Sequence, residues 1–198
     1  YNNRDDKYPT IVFAPHCNWW DGIVLYNIAH RICHKEIRLM VEELNRFPLL
    51  RRAGAYSVCK KSPQTAIKAL QYSIDLLANL RNVLFIFPQG IIRPPHFKPI
   101  KFQTGLAYIA QNAVKKYGKV NLVPISIKYT FLRDNRPEVL VEFGNRIELT
   151  ENNIDRKELT LMLEKSMTDV CENQMRDISS GNLDDYEILL EYINCRLL

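Results

Sequence analysis

Short apolar runs alternate with amphipathic segments along the first 150 residues. The runs are bounded by proline, glycine or polar residues, as buried strands are, and they predict strands at 10–14, 37–41, 55–59, 83–87, 121–129 and 139–143. The segments between them repeat apolar residues at helical spacing and predict helices at 20–31, 43–52, 62–80 and 104–117, of which the second is short and is expected to be bent or broken by Pro48. Strands and helices in this alternation predict an α/β fold with helices on both faces of one sheet.

The last 48 residues have a different pattern, which predicts two acidic amphipathic helices at 156–179 and 184–198. We therefore predict an α/β core over residues 1–150 and a C-terminal helical extension of the same domain over 151–198. With 198 residues, 46% of them hydrophobic and 25% charged, the chain matches one globular domain. No apolar run approaches the ~20 residues of a membrane span. The chain begins with Tyr1, so an anchoring segment upstream of it stays an open alternative.

Five cysteines without a C-x-x-C pair predict reduced thiols and a cytoplasmic setting. His30, Cys33 and His34 share one face of a predicted helix and offer metal-binding side chains. A structural metal site needs a fourth ligand, and none is evident in the sequence. We therefore expect an ordinary helix end here and no metal site.

Charge is distributed unevenly around the net value of +5. Residues 151–198 hold 5 of the 27 Lys and Arg and 11 of the 22 Asp and Glu, which leaves residues 1–150 with a net charge of +11. A basic core favours anionic partners such as phosphates, coenzyme A, anionic lipid or nucleic acid. Apolar strands interrupt the basic residues and no recognised nucleic-acid-binding motif is present, so a nucleic-acid partner is not expected.

His16 and Asp21 follow the first predicted strand and carry the clearest candidate chemistry. Five positions on a regular helix would separate their side chains by about 140°, so contact requires a turn between them. With His16 at the strand exit and Asp21 at a helix start, the carboxylate can accept the imidazole Nδ1–H. Nε2 then stays available as a general base.

Three groups of candidate residues fall at the C-terminal ends of predicted strands. They are His16, Lys60 with Lys61, and Gln89 with Gly90. In open α/β sheets, ligands bind outside the carboxyl ends of the strands. The sequence therefore predicts that the three groups form one pocket.

Four ordered blocks between residues 10 and 145 resemble the glycerolipid acyltransferases of the lysophosphatidic-acid acyltransferase type. The blocks are H-x-x-x-x-D at 16–21, GAYSVCK at 54–60, FPQG at 87–90 and VPI at 123–125, with FQTG at 102–105 between the last two. The resemblance implies acyl transfer from a thioester, on coenzyme A or acyl carrier protein, to a hydroxyl of a lipid acceptor. It implies no metal or redox cofactor, and it implies peripheral association of the basic core with a membrane surface.

The same resemblance implies roles for individual residues. His16 is the general base, Asp21 orients it, and main-chain N–H groups around Gly90 are expected to stabilise the oxyanion. The implied substrate-binding residues are Gly54, Lys60, Lys61, Pro88, Gln89, Gly90, Arg93 and Trp19. Among them Lys60 takes the place of a phosphate-binding Arg, beside Lys61, and Arg93 supplies a second phosphate contact. Trp19 shapes the acyl or acceptor pocket, or else packs in the core.

The third block departs from the family pattern. Gln89 replaces a Glu, and Ile91-Ile92 replace Thr-Arg. This difference predicts an acceptor other than lysophosphatidic acid: another lysophospholipid, a glycolipid or a carotenoid glycoside. Two other classes stay open, an acyl thioesterase and a non-catalytic lipid-binding homologue. Cys17 is not expected to be a nucleophile, because adjacent side chains rarely converge on one site.

Overall fold

The computed structural model describes residues 7–42, 44–58, 62–95, 98–132, 136–150 and 154–189. Within these residues the strands are β1 (Thr10–Phe13), β2 (Glu36–Val41), β3 (Ala55–Ser57), β4 (Asn82–Ile86), β5 (Val120–Thr130), β6 (Glu138–Phe143) and β7 (Ile147–Leu149). They form one mixed sheet in the order β3-β2-β4-β1-β5-β6, with β7 also paired to β5. The pairs from β3 to β5 are parallel, and β6 and β7 run antiparallel to β5.

The helices are α1 (Asp21–Ile28), α2 (Pro63–Leu76), α3 (Gly105–Tyr117) and α4 (Arg156–Ser180), and α1 continues as a π-helical turn over Ala29–Cys33. Their ends follow local chemistry. A proline opens α2, where its missing N–H costs nothing. The Asp155 carboxylate caps α4 by accepting the N–H of Lys157 at 2.8 Å, and Gly181 ends that helix with φ +72°.

Alternation along the strands divides the core into two layers. Ile11 and Phe13 of β1 point to the layer that contains α2, α3 and α4, while Val12 points to the layer that contains α1. This is the period of two that a strand imposes on its side chains. The first layer includes Leu159, Leu163 and Met167 of α4, all fully buried. The predicted α/β fold, with a largely parallel sheet flanked by helices, is confirmed.

Three predicted elements differ from the structure. The helix expected at 43–52 is only a 3₁₀ helix over Pro48–Arg51, because Pro48 disfavours a helical conformation at Phe47, whose φ is −129° and ψ is 67°. β7 was not predicted, because it has only three residues and a charged residue at its centre. The helix expected at 184–198 is wrong for 184–189, which form a turn and irregular chain; the remainder of that prediction lies outside the described residues.

Across the described ranges, we find no helix that combines the length and the apolar character needed to cross a bilayer.

Gly54 sits where the chain enters β3 and passes very close to β2. Its φ is +86°, and an added Cβ would lie 2.0 Å from the carbonyl oxygen of Ile37. Its own carbonyl oxygen accepts the N–H of Leu39 at 3.3 Å. The close approach therefore leaves no room for a side chain, and Gly54 has a structural reason to be glycine.

We expect Gly54→Ala to destabilise the protein more than Gly118→Ala does. Both glycines have positive φ, at a cost of about 1–2 kcal/mol for alanine, but an added Cβ on Gly118 would meet no atom within 4 Å. The overlap at Gly54 should add about 1–3 kcal/mol. Urea unfolding of the two variants measures the difference, and equal losses would contradict the close approach.

Candidate active site

Asp21 is the first residue of α1 and is completely buried. Its Oδ2 accepts the main-chain N–H groups of Cys17 at 2.8 Å and Asn18 at 2.9 Å. The Asp21 N–H in turn donates to the carbonyl oxygen of Asn18 at 3.2 Å. The loop between β1 and α1 is therefore folded around this carboxylate, which also lies at the favourable N-terminal end of a helix.

The turn brings His16 back onto the same carboxylate. His16 Nδ1 lies 2.8 Å from Asp21 Oδ2, and because a carboxylate can only accept, Nδ1 carries the proton. The ring stacks on Phe87, with centroids 4.1 Å apart and planes 14° from parallel. The His16 side chain is 23% exposed. Asp21 and Phe87 thus fix the ring in the tautomer that leaves Nε2 available as a base.

The main chain of His16 is held as firmly as its ring. Its N–H donates to Gln89 Oε1 at 2.8 Å, and its carbonyl oxygen accepts the N–H of Arg93 at 2.8 Å. Gln89 is itself buried. Two of the residues predicted to bind substrate, Gln89 and Arg93, therefore contact the proposed base through its backbone.

Tyr129, near the C-terminal end of β5, is a site residue that the sequence analysis missed. Its hydroxyl donates to Asp21 Oδ1 at 2.7 Å. Burial, and then the hydrogen bond to Asp21, raise the pKa of Tyr129 far above its ordinary value, so the phenol remains a donor at any working pH. The alternation of β5 places Tyr129 on the same face as Ile125 and Ile127. Asp21 lies 108 positions earlier in the sequence, so no local sequence pattern predicts that the two residues meet.

Cys17 lies beside the His16–Asp21 pair, but its surroundings disfavour the reactive thiolate form. Burial, followed by the nearby charge of Asp21, raises the pKa of the Cys17 thiol to about 11. The thiolate is the nucleophilic form, and it is scarce at neutral pH when the pKa is this high. The raised pKa disfavours a nucleophilic role for Cys17.

A cavity of about 670 Å³ opens beside His16, within the size range of small-molecule sites. It lies between α1, β2 and the 3₁₀ segment. Its walls are mainly apolar and include Ile23, Leu39, Phe47, Leu50, Ile86 and Ile92. Of the predicted substrate-binding residues, Trp19 and Gly90 line this cavity. Gly54, Pro88, Gln89 and Arg93 do not, and Lys60 and Lys61 lie outside the described residues.

The turn at 88–90 is packed against the segment that leads into α3. Gly90 has a φ of +72°, and a Cβ there would lie 2.8 Å from Gln103 Nε2. The Pro88 carbonyl oxygen accepts the Gln103 N–H at 2.8 Å. The N–H of Gly90 donates to Phe87 O at 3.1 Å and closes the turn, so among the main-chain N–H groups around Gly90 this one is already used.

His30, Cys33 and His34 do not form a metal cluster. Cys33 is buried in the core, while the exposed ring of His30 lies 4.4 Å from that of Tyr26. More generally, no group of three or more metal-binding side chains occurs in the part of the chain that the structure describes.

We expect Tyr129→Phe to destabilise the fold, because it leaves Asp21 Oδ1 buried without its donor. A buried acceptor that loses its partner costs about 1–3 kcal/mol. Tyr72→Phe is the matched control, since Tyr72 is half exposed on α2 and should change stability by less than about 0.5 kcal/mol. Chemical unfolding of both variants tests this, and equal stability of the two would show that the hydroxyl does not support Asp21.

The family model described as Acyltransferase matches residues 1–128, which include His16, Asp21 and every residue that lines the cavity. No curated protein matches the chain. The match spans well over half of the sequence and confirms the resemblance drawn from the ordered blocks. The chain belongs to the acyltransferase family, that of the lysophospholipid and glycerolipid acyltransferases.

Proposed function

We propose that the protein moves a fatty acyl group from a thioester to a hydroxyl of a lysophospholipid or related lipid acceptor. The thioester is carried by coenzyme A or by acyl carrier protein. One observation carries the proposal: the His16–Asp21 pair stands at the edge of a large apolar cavity. Membership of the acyltransferase family supports the reaction class.

His16 would act as the general base. Nε2 takes the proton from the acceptor hydroxyl while its oxygen attacks the thioester carbonyl carbon, and the ring becomes an imidazolium. Asp21 stabilises that charge through Nδ1–H. When the tetrahedral intermediate collapses, the C–S bond breaks and the imidazolium proton passes to the leaving thiolate. The products are the ester and the free thiol, and His16 returns to its starting form.

The oxyanion needs donors that are already in place. The N–H of Gly90 closes its own turn, and the N–H of Arg93 is bonded to His16. The next two main-chain N–H groups, of Ile91 and Ile92, meet no hydrogen-bond acceptor among the described residues, and both residues line the cavity beside His16. We assign these two groups as the oxyanion donors.

The apolar cavity is suited to an acyl chain. Burial of each methylene contributes about 0.8 kcal/mol, so a long chain gains enough to hold the thioester in place before reaction. Because α1 and β2 form its walls, an acyl chain in the cavity would lie against the sheet beside His16. A polar substrate would gain little from such walls.

Two versions of the proposal differ in the acceptor headgroup, which either carries a phosphate or does not. Lys60, Lys61 and Arg93 would hold a phosphate as the family pattern implies. Against this, Ile91 and Ile92 are about half exposed, at 47% and 53%, where the family pattern has Thr-Arg. That apolar wall favours an acceptor without phosphate at this position, such as a glycolipid or carotenoid glycoside.

We expect His16→Ala to lower acceptor-dependent thiol release from palmitoyl-coenzyme A by about 10²- to 10⁴-fold, because it removes the base. Lysophosphatidic acid, another lysophospholipid and a glycolipid are offered in turn. Cys17→Ala is the matched control, since it changes the neighbouring side chain and should keep most of the activity. Equal activity in the two variants would remove His16 from its role.

The same assay separates the remaining alternatives. Thiol release that ignores the acceptor would indicate a thioesterase. No release with any acceptor, and none when acyl carrier protein replaces coenzyme A, would indicate a non-catalytic lipid-binding homologue. A variant of such a homologue that lacks His16 would still bind lipid.

A further inference from the structure

We infer that Tyr129 is a positioning residue of the site: its hydroxyl fixes the plane of the Asp21 carboxylate, and that plane sets the orientation of His16. Tyr129 would act on the reaction through Asp21 and not by touching the substrate, because it does not line the cavity. The inference rests on the proposed function for its effect on turnover. The orientation of the His16 ring can be measured without turnover, so the two can fail separately.

The donors to Asp21 are divided unequally between its two carboxylate oxygens. Oδ2 accepts three of them, the N–H groups of Cys17 and Asn18 and the Nδ1–H of His16, all from the loop that precedes α1. Oδ1 accepts the Tyr129 hydroxyl at 2.7 Å, which is its one donor among the described residues. The loop therefore holds one oxygen, and the position of the other depends on Tyr129.

A carboxylate that is held through one oxygen can still rotate. The last torsion of an Asp side chain has broad energy wells, so it does not fix the plane of the group by itself. Rotation would move Oδ2 relative to the His16 ring and change the direction of the bond to Nδ1. A hydrogen bond to an ionised group is short and strong, so the bond from Tyr129 to Oδ1 opposes that rotation.

The length of β5 brings Tyr129 to the site. β1 pairs with β5 as far as Phe13, which lies opposite Pro124. β5 continues to Thr130 and pairs there with β6 on its other edge. Tyr129 thus lies roughly 17 Å along the strand from Pro124, beside the chain that leaves β1. A β5 that ended where β1 ends would not reach Asp21.

The hydroxyl of Tyr129 is itself held in one place. Tyr129 pairs with Val139 of β6, and its ring packs against the core layer that contains α1. A tyrosine side chain has only two rotatable torsions, so these contacts determine where its oxygen lies. Support from a packed strand suits a positioning role, since a donor on a mobile loop would follow the carboxylate instead of holding it.

Tyr129→Phe tests the inference by turnover, because it removes the hydroxyl and keeps the ring. We expect kcat for acceptor-dependent thiol release to fall about tenfold, comparable to the loss of an outer hydrogen-bond partner of a metal-binding histidine. KM should stay unchanged, since Tyr129 does not line the cavity. Both this variant and its control are assayed where their unfolding curves show folded protein.

Tyr117→Phe is the matched control. The Tyr117 hydroxyl is partly buried and donates to the carbonyl oxygen of Ile74 at 2.9 Å, in the core layer on the opposite face of the sheet. This variant loses a comparable hydrogen bond without touching the site, so its kcat should be that of the unaltered protein. An equal fall of kcat in the two variants would indicate general destabilisation and overturn the inference, as would an unchanged kcat in Tyr129→Phe.

Asp21→Asn tests whether Tyr129 acts through the carboxylate. The amide oxygen would face the three loop donors, which leaves the NH₂ group toward Tyr129, where the hydroxyl can no longer donate. Adding Tyr129→Phe to Asp21→Asn should therefore lower kcat little further. A second fall as large as the one in the unaltered background would show that Tyr129 acts by another route and contradict the inference.

The His16 ring gives a readout that needs no turnover. The proton on Nδ1, bonded to a buried carboxylate, should give a far-downfield NMR resonance, which its absence from His16→Ala identifies among the four histidines of the chain. In Tyr129→Phe we expect this resonance to broaden and to exchange faster with solvent, and in Tyr117→Phe to stay as it is. An unchanged resonance in Tyr129→Phe would overturn the inference.

Fluorotyrosine at position 129 extends the test to the case in which Tyr129→Phe does not fold. It keeps the ring and the hydroxyl, and fluorine makes that hydroxyl a stronger donor to Asp21. The Nδ1–H resonance of His16 should then shift, and the same analogue at position 117 should not shift it. No shift from position 129 would contradict the inference. A shift in a protein that shows no turnover would support the inference and count against the proposed function.

Discussion

The buried carboxylate of Asp21 is the interaction on which the site depends. An isolated charge in the interior is very costly, and here four donors compensate for burial: two main-chain N–H groups, His16 Nδ1–H and the Tyr129 hydroxyl. These donors come from the β1–α1 loop and from β5. The carboxylate thereby links a loop, a helix and a strand. The imidazole orientation is a consequence of that link.

The order of the parallel strands accounts for the rest of the site. Because β4 and β1 are neighbours in register, the chain leaving β4 lies against the chain leaving β1. Phe87 can then stack on His16, and Gln89 can accept its N–H. The base is therefore held by two strand exits at once. Gln89 therefore holds the backbone of His16 in place, in addition to any effect that its side chain has on the acceptor.

Unequal coverage of the two faces of the sheet accounts for the cavity. Among the described elements, α2, α3 and α4 pack on one face, while α1 covers the other. One helix is too narrow to cover β2, β4 and β1 together. The space left over β2 is lined by the 3₁₀ segment, by residues at both ends of β3 and by the apolar wall that follows Gly90. The cavity thus originates in a sheet face that the described residues do not fully cover.

Local pattern was enough to predict much of this protein. The apolar run before Pro15 predicted β1, and the exits of β1 and β4 predicted that His16 and Gln89 would come together. The spacing of His16 and Asp21 predicted a turn and a shared hydrogen bond, because five positions cannot meet on a regular helix. These features depend on neighbours in sequence. Pro48 was expected to bend or break the helix at 43–52, and the structure retains only a 3₁₀ helix over Pro48–Arg51, because proline also restricts the conformation of Phe47.

Only the tertiary structure decided what meets across long distances. Tyr129 reaches Asp21 from 108 positions away, and the close approach of Gly54 to Ile37 depends on the pairing of β3 with β2. The cavity depends on how many helices fall on each face of the sheet, which alternation alone does not specify. Sequence periodicity states which face a side chain occupies. Packing decides which partner it finds there, because that partner is supplied by a distant part of the chain.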